Sequence, residues 1–587
     1  MSRARSALPF ALVALAAPLL PARAQAPARS GDIVMQAMRD ELARSVQQLR
    51  LDTLPKPYFI AYRLTESHGV GAQARLGSLL GGGDGRGSRF LQVEVRVGDY
   101  AFDNSNFFGA GFLPSAFDGF GMMPLDDDYQ ELRRQLWLST DRAYKQALEA
   151  LSQKRAALET QSHSGAAIPD FSHEAVTNTV DEVPAPPANR AAIEALAREL
   201  SAVFRDTPEI YTSSVSVNAS ASRERYVNSE GTSFVRARPA AAVNVQASTQ
   251  AADGMPLADF YSAGGLTMAG LPSRDSLLAA VRNLVARLTQ VRQAPLTTAY
   301  DGPVLFEGGA AGELVNTVLT PKLIAARRPL ANAQFERFLA TTQAGNDWGD
   351  LIGARVLPTF LSVVDDPTLS TIEGTVVDSR RVDEDGVTTH PTTLIAHGNL
   401  KTLLSSRVPV AGVEHSSGNR FSGGTLASHL IMTADSSLPN DELRRRLLAL
   451  AAAQGHDYAI VVRQLTNAAT VAQQDPQAFA MAMGMQGDGP PLRAFAAYKV
   501  YADGREELVR GVDIAAMNVA SVKDIVAVSR ARTLYNTVYF SRGNMLTGGG
   551  GAGVVTYLTP SLLFSSVSVR KPRDSQPRPP VVPPPAP

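Results

Sequence analysis

The segment of residues 304–322 constrains the fold more than any other part of the sequence. Val304 to Phe306 have the pattern of a buried strand end, and Gly308 and Gly309 follow as a tight approach to a helix. The apolar face predicted for that helix consists of Leu314, Val315, Val318 and Leu319. Because a strand leads here directly into a Gly-rich helix start, we take this segment as the candidate functional site.

Two carboxylates, Glu307 and Glu313, are the chemistry-bearing side chains of this segment, which contains no histidine. A zinc site needs three or four N, S or O ligands, usually histidine or cysteine, so the segment alone does not hold zinc in the ordinary way. The spacing of the two glutamates is less than about two helical turns, which leaves paired-carboxylate hydrolysis open. The alternative is that Glu307 caps the helix start and that Glu313 is exposed on its first turn.

Composition sets limits on the class of protein. A chain of 587 residues is too long for one core, and two or three domains are expected. The 56 basic and 56 acidic residues balance, so nothing points to nucleic acid as a partner. There is no cysteine, which excludes thiol catalysis, iron–sulfur clusters and every cysteine-based zinc site.

The first 24 residues are predicted to be a secretory signal peptide. Arg3 and Arg5 form a basic start, an apolar run follows, and Ala22-Arg23-Ala24 matches a cleavage site, so the mature chain is expected to begin at Gln25. We therefore expect an exported protein, periplasmic or extracellular, with a net charge of about −3 after removal of the leader. No other segment reaches the roughly 18 uninterrupted apolar residues of a membrane span.

The sequence predicts an α+β protein with several regions. After the signal peptide (1–24), the predicted regions are an N-terminal α/β region (30–205), a middle region (206–298), a β-rich C-terminal domain with a curved sheet (299–545), and a Gly-rich then Pro-rich tail (546–587). The tail cannot pack a core, and its proline content is typical of a polyproline-like segment.

Helical periodicity and capping residues predict five helices outside the candidate site. They are a helix after the cap Asp32 with apolar positions from Val34 to Leu49, a helix after Asp126-Asp127-Asp128 to about 158, 190–204, 277–291, and 441–453 after the cap Asn440. The Gly-rich residues 81–87 lack the Gly-Lys-Ser/Thr ending of a phosphate loop and are predicted to be a flexible hairpin connection. Strands are predicted at 210–220 and 224–227, with a turn at 228–231.

Several segments resemble one known family. They are Arg-Tyr-Val-Asn-Ser-Glu-Gly-Thr at 225–232, Val-Asp-Glu-Asp-Gly-Val-Thr-Thr at 382–389, Thr-Leu-Ile-Ala-His-Gly-Asn-Leu at 393–400, Ser-Ser-Gly-Asn-Arg at 416–420, and the closing segments 492–499 and 507–512. In this order, over roughly residues 30 to 545, they resemble the TldD/PmbA (TldE) family of metallopeptidase-related proteins.

The resemblance implies zinc peptidase activity in one branch of the family and the loss of that activity in the other branch. In the TldD branch a HExxxH helix and a downstream cysteine bind zinc, the glutamate activates water, and a peptide or unfolded chain enters a channel between two subunits. The PmbA/TldE branch lacks these ligands and partners the active subunit. Here the three motif positions fall on Glu307, Gly308 and Gly312, and the cysteine has no counterpart. The chain thus resembles the PmbA/TldE branch, and we predict no metal and no cofactor.

Other candidate sites are weaker. The histidines of the C-terminal domain, His390, His397, His415 and His429, are predicted to lie on the surface or in turns. Asp383, Glu384 and Asp385 before Gly386 resemble a fragment of a calcium loop but are predicted to form a solvated turn. No Gly-x-Ser-x-Gly motif supports a serine hydrolase.

The expected function is a non-catalytic subunit that shapes the peptide channel of a proteolytic complex. Its partner would be a TldD-like catalytic subunit or, in a homodimer, a second copy of this chain. Two alternatives stay open at this point. One is a freestanding peptide-binding or envelope protein that lost the chemistry, and the other is a residual metallopeptidase with unusual ligands.

Overall fold

The structure is a computed structural model, and it describes most of the chain. The described residues are 31–85, 87–108, 120–160, 168–331, 347–466, 492–515, 517, 519–540 and 552–571. The predicted signal peptide, most of the Gly-rich segment and the Pro-rich residues 572–587 lie outside them.

The described chain contains both helices and strands, and several strands often follow one another without a helix between them. The helices are α1 (Ile33–Gln48), α2 (Tyr129–Thr160), α3 (Arg190–Ala202), α4 (Arg274–Gln293), α5 (Gly309–Leu314), α6 (Thr320–Leu323), α7 (Asn440–Ala453) and α8 (Val519–Val522). The strands before residue 300 are β1 (Pro57–Arg75), β2 (Ser78–Asp84), β3 (Ser88–Val97), β4 (Phe107–Phe108), β5 (Phe120–Met122), β6 (Asn178–Glu182), β7 (Thr212–Asn228), β8 (Ser233–Gln250) and β9 (Pro256–Gly265).

The later strands are mostly shorter. They are β10 (Tyr300–Phe306), β11 (Leu330–Ala331), β12 (Leu361–Asp365), β13 (Thr371–Ile372), β14 (Thr375–Val376), β15 (Thr392–Ala396), β16 (Asn399–Leu400), β17 (Arg420–Phe421), β18 (Gly424–Thr425), β19 (His429–Ala434), β20 (Tyr458–Leu465), β21 (Leu492–Tyr501), β22 (Glu506–Val509), β23 (Val512–Ile514), β24 (Ile525–Phe540) and β25 (Ala552–Arg570).

The first sheet has eight strands in the order β5-β3-β1-β7-β8-β6, with β2 on β1 and β9 on β8. Helices α1 and α2 cover one part of it, because the apolar positions Val34, Met38 and Leu42 recur on one face of α1 and are buried there. The carboxylate of Asp32 accepts a hydrogen bond from the backbone N–H of Met35 at 2.9 Å, which confirms the predicted helix cap. Helices α3 and α4 pack over the alternating apolar residues of β7 and β8.

The second sheet has eleven strands, and five of them close into a ring. Strand β10 pairs in parallel with β20 and antiparallel with β25, and the circuit continues through β21 and β23 back to β25. Val304 and Phe306 belong to the main core of this sheet, whereas Leu305 packs with α7 on the opposite side. This alternation is the two-residue period of a strand buried on both faces.

The predicted α+β class with a β-rich C-terminal domain is confirmed by this architecture. Strands on both sides of the predicted boundary at residue 205 hydrogen-bond within one sheet, since β1 pairs with β7. The predicted tail is wrong in part, because residues 552–570 form β25, a buried strand that pairs with β10, β19, β23 and β24. The other domain boundaries stay predictions. Within the described residues, no helix combines the length and the apolar character that crossing a membrane requires.

Three local predictions are wrong. Residues 81–84 belong to β2 and pair with β1, so the Gly-rich segment is a strand up to Asp84 and not a loop. The glycines allow a close approach of the two strands, because a Cβ on Gly82 would lie 3.2 Å from the carbonyl oxygen of Gly71. Strand β7 runs unbroken through the interruption predicted at 221–223. Helix α7 includes Asn440, and its N-cap position is Pro439, which makes no side-chain cap.

Candidate functional site

The candidate segment forms the predicted strand and helix at the end of β10. The backbone N–H of Glu307 donates to the carbonyl oxygen of Val462 on β20 at 2.9 Å, which continues the pairing of β10 and β20 for one residue. Gly308 then has a φ of 57°, a left-handed conformation that favours glycine, and α5 begins at the next residue. A π-helical turn, Val315–Leu319, follows α5 and leads into α6.

Glu307 belongs to a four-charge cluster and does not cap the helix, so the predicted capping role is wrong. Its carboxylate accepts hydrogen bonds from Arg444 on α7 at 2.9 and 3.0 Å and from Arg463 on β20 at 3.2 Å. Glu506 on β22 binds the same two arginines at 3.2 and 2.7 Å. The carboxylate at the first motif position therefore forms ion pairs with two guanidinium groups.

Glu313 is buried, so its predicted exposure on the first turn is also wrong. Its carboxylate accepts hydrogen bonds within its own helical segment, from Asn316 at 2.9 Å and Thr317 at 3.3 Å. It also accepts hydrogen bonds from β24, from Tyr535 at 2.8 Å and Thr537 at 2.9 Å. Burial and the Glu313 carboxylate raise the pKa of the Tyr535 hydroxyl, which keeps it a proton donor.

The two glutamates are not arranged as a catalytic pair. The hydrogen bonds of Glu307 go to α7 and β20, whereas those of Glu313 go to β24 and to the segment after α5. A paired-carboxylate hydrolase needs both groups to face one reacting bond. The hydrogen-bonding groups around each glutamate therefore give no support to paired-carboxylate hydrolysis.

The ring of Tyr535 fills the space beside the first and fourth residues of α5. A Cβ on Gly312 would lie 2.8 Å from Cδ1 and 2.9 Å from Cβ of Tyr535, closer than real Cβ contacts. A Cβ on Gly309 would lie 3.1 Å from the same ring. The hydroxyl of that ring is held by Glu313. Helix α5 thus requires glycine at position 312 in this packing.

Zinc does not fit the residues at the three motif positions. Glu307 is bound to two arginines, and the glycines at 308 and 312 carry no ligand atoms. The place where a side chain at 312 would begin is taken by Tyr535. In the described part of the chain, no three His, Cys, Asp or Glu side chains are placed to share a metal ion. The candidate segment therefore offers a metal neither a set of ligands nor the space for one.

The histidines are separate from the candidate segment. His390, His397 and His415 are exposed as predicted, and His397 lies in its hairpin turn with Nδ1 2.9 Å from a carboxylate oxygen of Asp435. His429 is buried in β19, so its predicted surface position is wrong. Burial lowers the pKa of the His429 imidazole.

The acidic turn at 383–386 is buried and not solvated, which corrects the prediction. Asp383 is fully buried, and its carboxylate accepts backbone N–H bonds from Asp385 at 2.8 Å, Val387 at 2.9 Å and Arg420 at 3.1 Å. Burial and the charge of Asp385 raise the pKa of Asp383 to about 8, against the lowering effect of these three donors. The turn is a structural element at the junction of the two sheets.

Two arginines lie beside this turn, one from the first sheet and one from the separate β17–β18 hairpin. Arg63 on β1 lies 3.1 Å from Glu224 and 3.5 Å from Glu384, and Arg420 lies 3.5 Å from Asp385. The side chains of Arg63 and Arg420 are 11% and 15% exposed, and the surrounding carboxylates raise the pKa of each guanidinium against the cost of burial. A buried network of alternating charges therefore joins the first sheet to the turn at 383–386 and the β17–β18 hairpin, which lie between strands of the second sheet in the chain.

Arg407 ties three distant segments together at the same junction. Its guanidinium donates to both carboxylate oxygens of Glu230 at 2.6 and 2.8 Å and, through Nε, to the carbonyl oxygen of Ser172 at 3.2 Å. The ring of Phe171 lies 3.9 Å from Arg407 and 3.7 Å from Arg96, so it is held between two guanidinium groups. Arg407 is 1% exposed, and no feature of its own sequence neighbourhood indicated this role.

Three of the sequence segments that carry the family resemblance meet here. The backbone N–H of Glu384 donates to the carbonyl oxygen of Arg420 at 2.9 Å. A Cβ on Gly386 would meet Thr232, and a Cβ on Gly418 would lie 2.8 Å from the carbonyl oxygen of Thr388. The segments 225–232, 382–389 and 416–420 thus form one packed unit. No local pattern indicated this contact, since the segments are far apart along the chain.

Acid should weaken this junction through Glu230. Burial alone would raise the pKa of Glu230, but the hydrogen bonds from Arg407 and Tyr100 lower it below its usual value of 4.5. A carboxyl with a lowered folded-state pKa gives stability that is complete above its unfolded value and is lost as pH falls through the folded value. We expect the difference in thermal midpoint between the wild type and Glu230→Gln to become smaller as the pH is lowered from about 5.5 to about 3.5. A difference in thermal midpoint that stays constant over this pH range would contradict a stabilising ion pair between Glu230 and Arg407.

Known sequences match only part of the chain. Residues 300–475 match the family profile described as the PmbA/TldA metallopeptidase C-terminal domain. Among curated proteins, none matches the chain at a significant level.

Solved structures match the fold over nearly the whole chain. A Thermotoga maritima protein described as a candidate modulator of a DNA gyrase has a TM-score of 0.56 and 13% identity, over 91% of this chain and 99% of that chain. TldE from Thermococcus kodakarensis has a TM-score of 0.54 and 13% identity, over 91% of this chain and 100% of that chain. A candidate modulator of DNA gyrase from Bacteroides thetaiotaomicron has a TM-score of 0.51 and 11% identity, over 92% and 98%. At such identities the likeness establishes the fold.

Proposed function

Because this chain carries the C-terminal domain of the TldD/PmbA family and has the fold of TldE, we propose that it is a non-catalytic subunit of an exported metallopeptidase complex. In this role it shapes the path of a peptide or unfolded polypeptide toward the catalytic subunit. The observation that carries the proposal is the state of positions 307, 308 and 312. They hold an ion-paired glutamate and two glycines, with Tyr535 packed against the last of them.

The chemistry of a zinc peptidase explains why these residues matter. The metal must lower the pKa of a bound water to about 7 and polarise the substrate carbonyl, with a carboxylate nearby as base. Glycine supplies neither a ligand nor a base, and the carboxylate of Glu307 is neutralised by Arg444 and Arg463. The catalytic residues of the complex would therefore belong to the partner.

The partner and the compartment follow from the same proposal. The partner is an exported TldD-like chain with an intact HExxxH motif, and a homodimer is the arrangement expected where no such chain exists. The predicted signal peptide supports export to the periplasm or beyond the cell. Peptide and unfolded polypeptide are the proposed substrates of the complex.

The proposal is tested with the mature chain purified without a histidine tag. We expect less than about a tenth of a zinc ion per chain by elemental analysis and no cleavage of unfolded casein by the chain alone. Mixed with an exported HExxxH partner from the same source, it should co-purify and raise the partner's peptidase activity. The matched control is a partner whose motif glutamate is changed to glutamine, which should bind equally and cleave nothing.

One result would overturn the proposal directly. It is peptide cleavage by this chain alone that is abolished both by a chelator and by Glu307→Ala. A zinc content near one ion per chain would equally contradict it.

A further inference from the structure

An open groove lies between α1 and the turn that joins β7 to β8. Its volume is about 450 Å³, within the range of roughly 300 to 1,000 Å³ that is usual for ligand sites. Helix α1 contributes Arg39, Leu42 and Val46, and Asn178 at the start of β6 and Val227 on β7 lie opposite. The groove is remote in sequence from the candidate segment at 304–322.

The charge of the groove is positive. Arg39 is its single charged lining residue, and no carboxylate lines it. Its guanidinium reaches only the hydroxyl of Ser233 at 3.4 Å, and within the described residues it forms no ion pair. Asn178 accepts a hydrogen bond from Ser233 through its amide oxygen, so its amide nitrogen remains for another acceptor in this part of the structure. An exposed arginine and an amide donor at one end of a groove are complementary to a carboxylate.

The remaining lining is apolar and follows the helix. Arg39, Leu42 and Val46 are three and four residues apart, which places them in one row along α1. Leu42 and Val227 are buried at the groove floor, whereas Val46 is 50% exposed at its rim. A ligand lying along this row would meet a positive end followed by apolar surface.

The edge of the first sheet lies beside the groove. Strand β6 is the last strand of that sheet, and among the described strands its outer edge is unpaired. Val180 on β6 is 44% exposed, and a Cβ on Gly231 would lie 3.7 Å from the side chain of Val176, so the apolar surface continues from the groove toward this edge. Such an edge can pair with the backbone of an extended peptide.

From these features we propose that the groove binds the C-terminal end of an extended peptide. The terminal carboxylate binds Arg39 and Asn178, and the last apolar side chain packs against Leu42 and Val46. The choice of a peptide as the ligand rests on the proposed function, in which peptides and unfolded chains are the substrates of the complex. The site is independent of the positions at 307, 308 and 312.

The test is direct binding to the full mature chain, without a partner. The probes are fluorescein-labelled hexapeptides, Ser-Gly-Ala-Ser-Val-X, in which X is Leu, Val, Phe or Lys, each made with a free carboxylate and as the amide. Fluorescence anisotropy should show that the acids ending in Leu, Val or Phe bind most tightly and that amidation weakens binding about tenfold or more.

Variants locate the binding in the groove. Arg39→Ala and Val46→Asp should each weaken binding of the Leu acid by about tenfold. Arg50→Ala is the matched control, because Arg50 is an arginine just after α1 whose guanidinium donates to the carbonyl oxygen of Asp52. It should leave the affinity unchanged.

Three outcomes would overturn the inference. They are equal binding of acid and amide, an Arg39→Ala variant that binds as the wild type does, and a synthetic peptide of residues 572–587 that displaces every probe more strongly than the Leu acid. The last result would assign the groove to the chain's own C-terminus. If the chain prefers free-acid peptides but neither binds an HExxxH partner nor raises its peptidase activity, only the proposed function is contradicted. If the complex is active but the chain shows no preference for the free acid over the amide, only the groove is contradicted.

Discussion

Replacing Arg407 by methionine should destabilise the junction of the two sheets by about 3–5 kcal/mol. Removal of one partner of a buried ion pair leaves the other charge without compensation. Here Glu230 and the carbonyl oxygen of Ser172 lose their guanidinium donors together, while methionine keeps part of the packing against Phe171. For a domain of about 150 to 250 residues, this loss of stability corresponds to a fall in the thermal midpoint of about 6 to 20 °C.

The measurement needs a local readout, since a chain of 587 residues need not unfold in one step. The backbone N–H of Ser172 donates to the carbonyl oxygen of Arg407 at 2.9 Å, so its hydrogen exchange reports on the junction. The control is Arg274→Met, because that arginine binds Glu199 on the surface with 64% of its side chain exposed. It should change stability by less than about 0.5 kcal/mol. Equal destabilisation by Arg407→Met and Arg274→Met would contradict the role assigned to Arg407 at the junction.

Gly312→Ala should destabilise the protein in the wild-type background and stop doing so when Tyr535 is truncated. The added Cβ overlaps the Tyr535 ring, and overpacking of this kind costs about 1–3 kcal/mol. The better helix propensity of alanine offsets up to about 1 kcal/mol of that cost. With Tyr535→Ala the space is open, and Gly312→Ala should become neutral or slightly stabilising.

A thermal-melting cycle over the two single variants and the double variant measures this coupling. Gly81→Ala serves as the control, because a Cβ there meets no atom within 4 Å. Equal costs of Gly312→Ala in both backgrounds would show that Tyr535 is not the cause.

The helices and strands around the candidate site could be predicted from the sequence because the interactions that form them lie within short segments. The apolar row of α1 and its Asp32 cap lie within one short segment, so periodicity and capping chemistry were enough. The strand at 304–306 and the helix after it were predicted in the same way. The α+β class followed from such elements taken together.

The environment of the charged residues could not be predicted, since their partners are far away in the chain. Glu313 and Tyr535 are 222 residues apart, and Arg63 and Glu384 are 321 residues apart. A glutamate on a first helical turn and an Asp-Glu-Asp-Gly turn are most often exposed, and here donors from distant segments add to the local ones and stabilise the buried carboxylates. The errors at Glu307, Glu313 and Asp383 have this one cause.

The five-stranded ring has a consequence for the order in which the protein can fold. The strand that closes it, β25, is also the last described strand, and it pairs with β10, β19, β23 and β24. Until residues 552–570 are synthesised, β10 and β23 have open edges, which are sites for pairing with other chains. Closure across some 260 residues is a long-range contact of the kind that slows folding. The ring therefore stays open until the last of its strands has been synthesised.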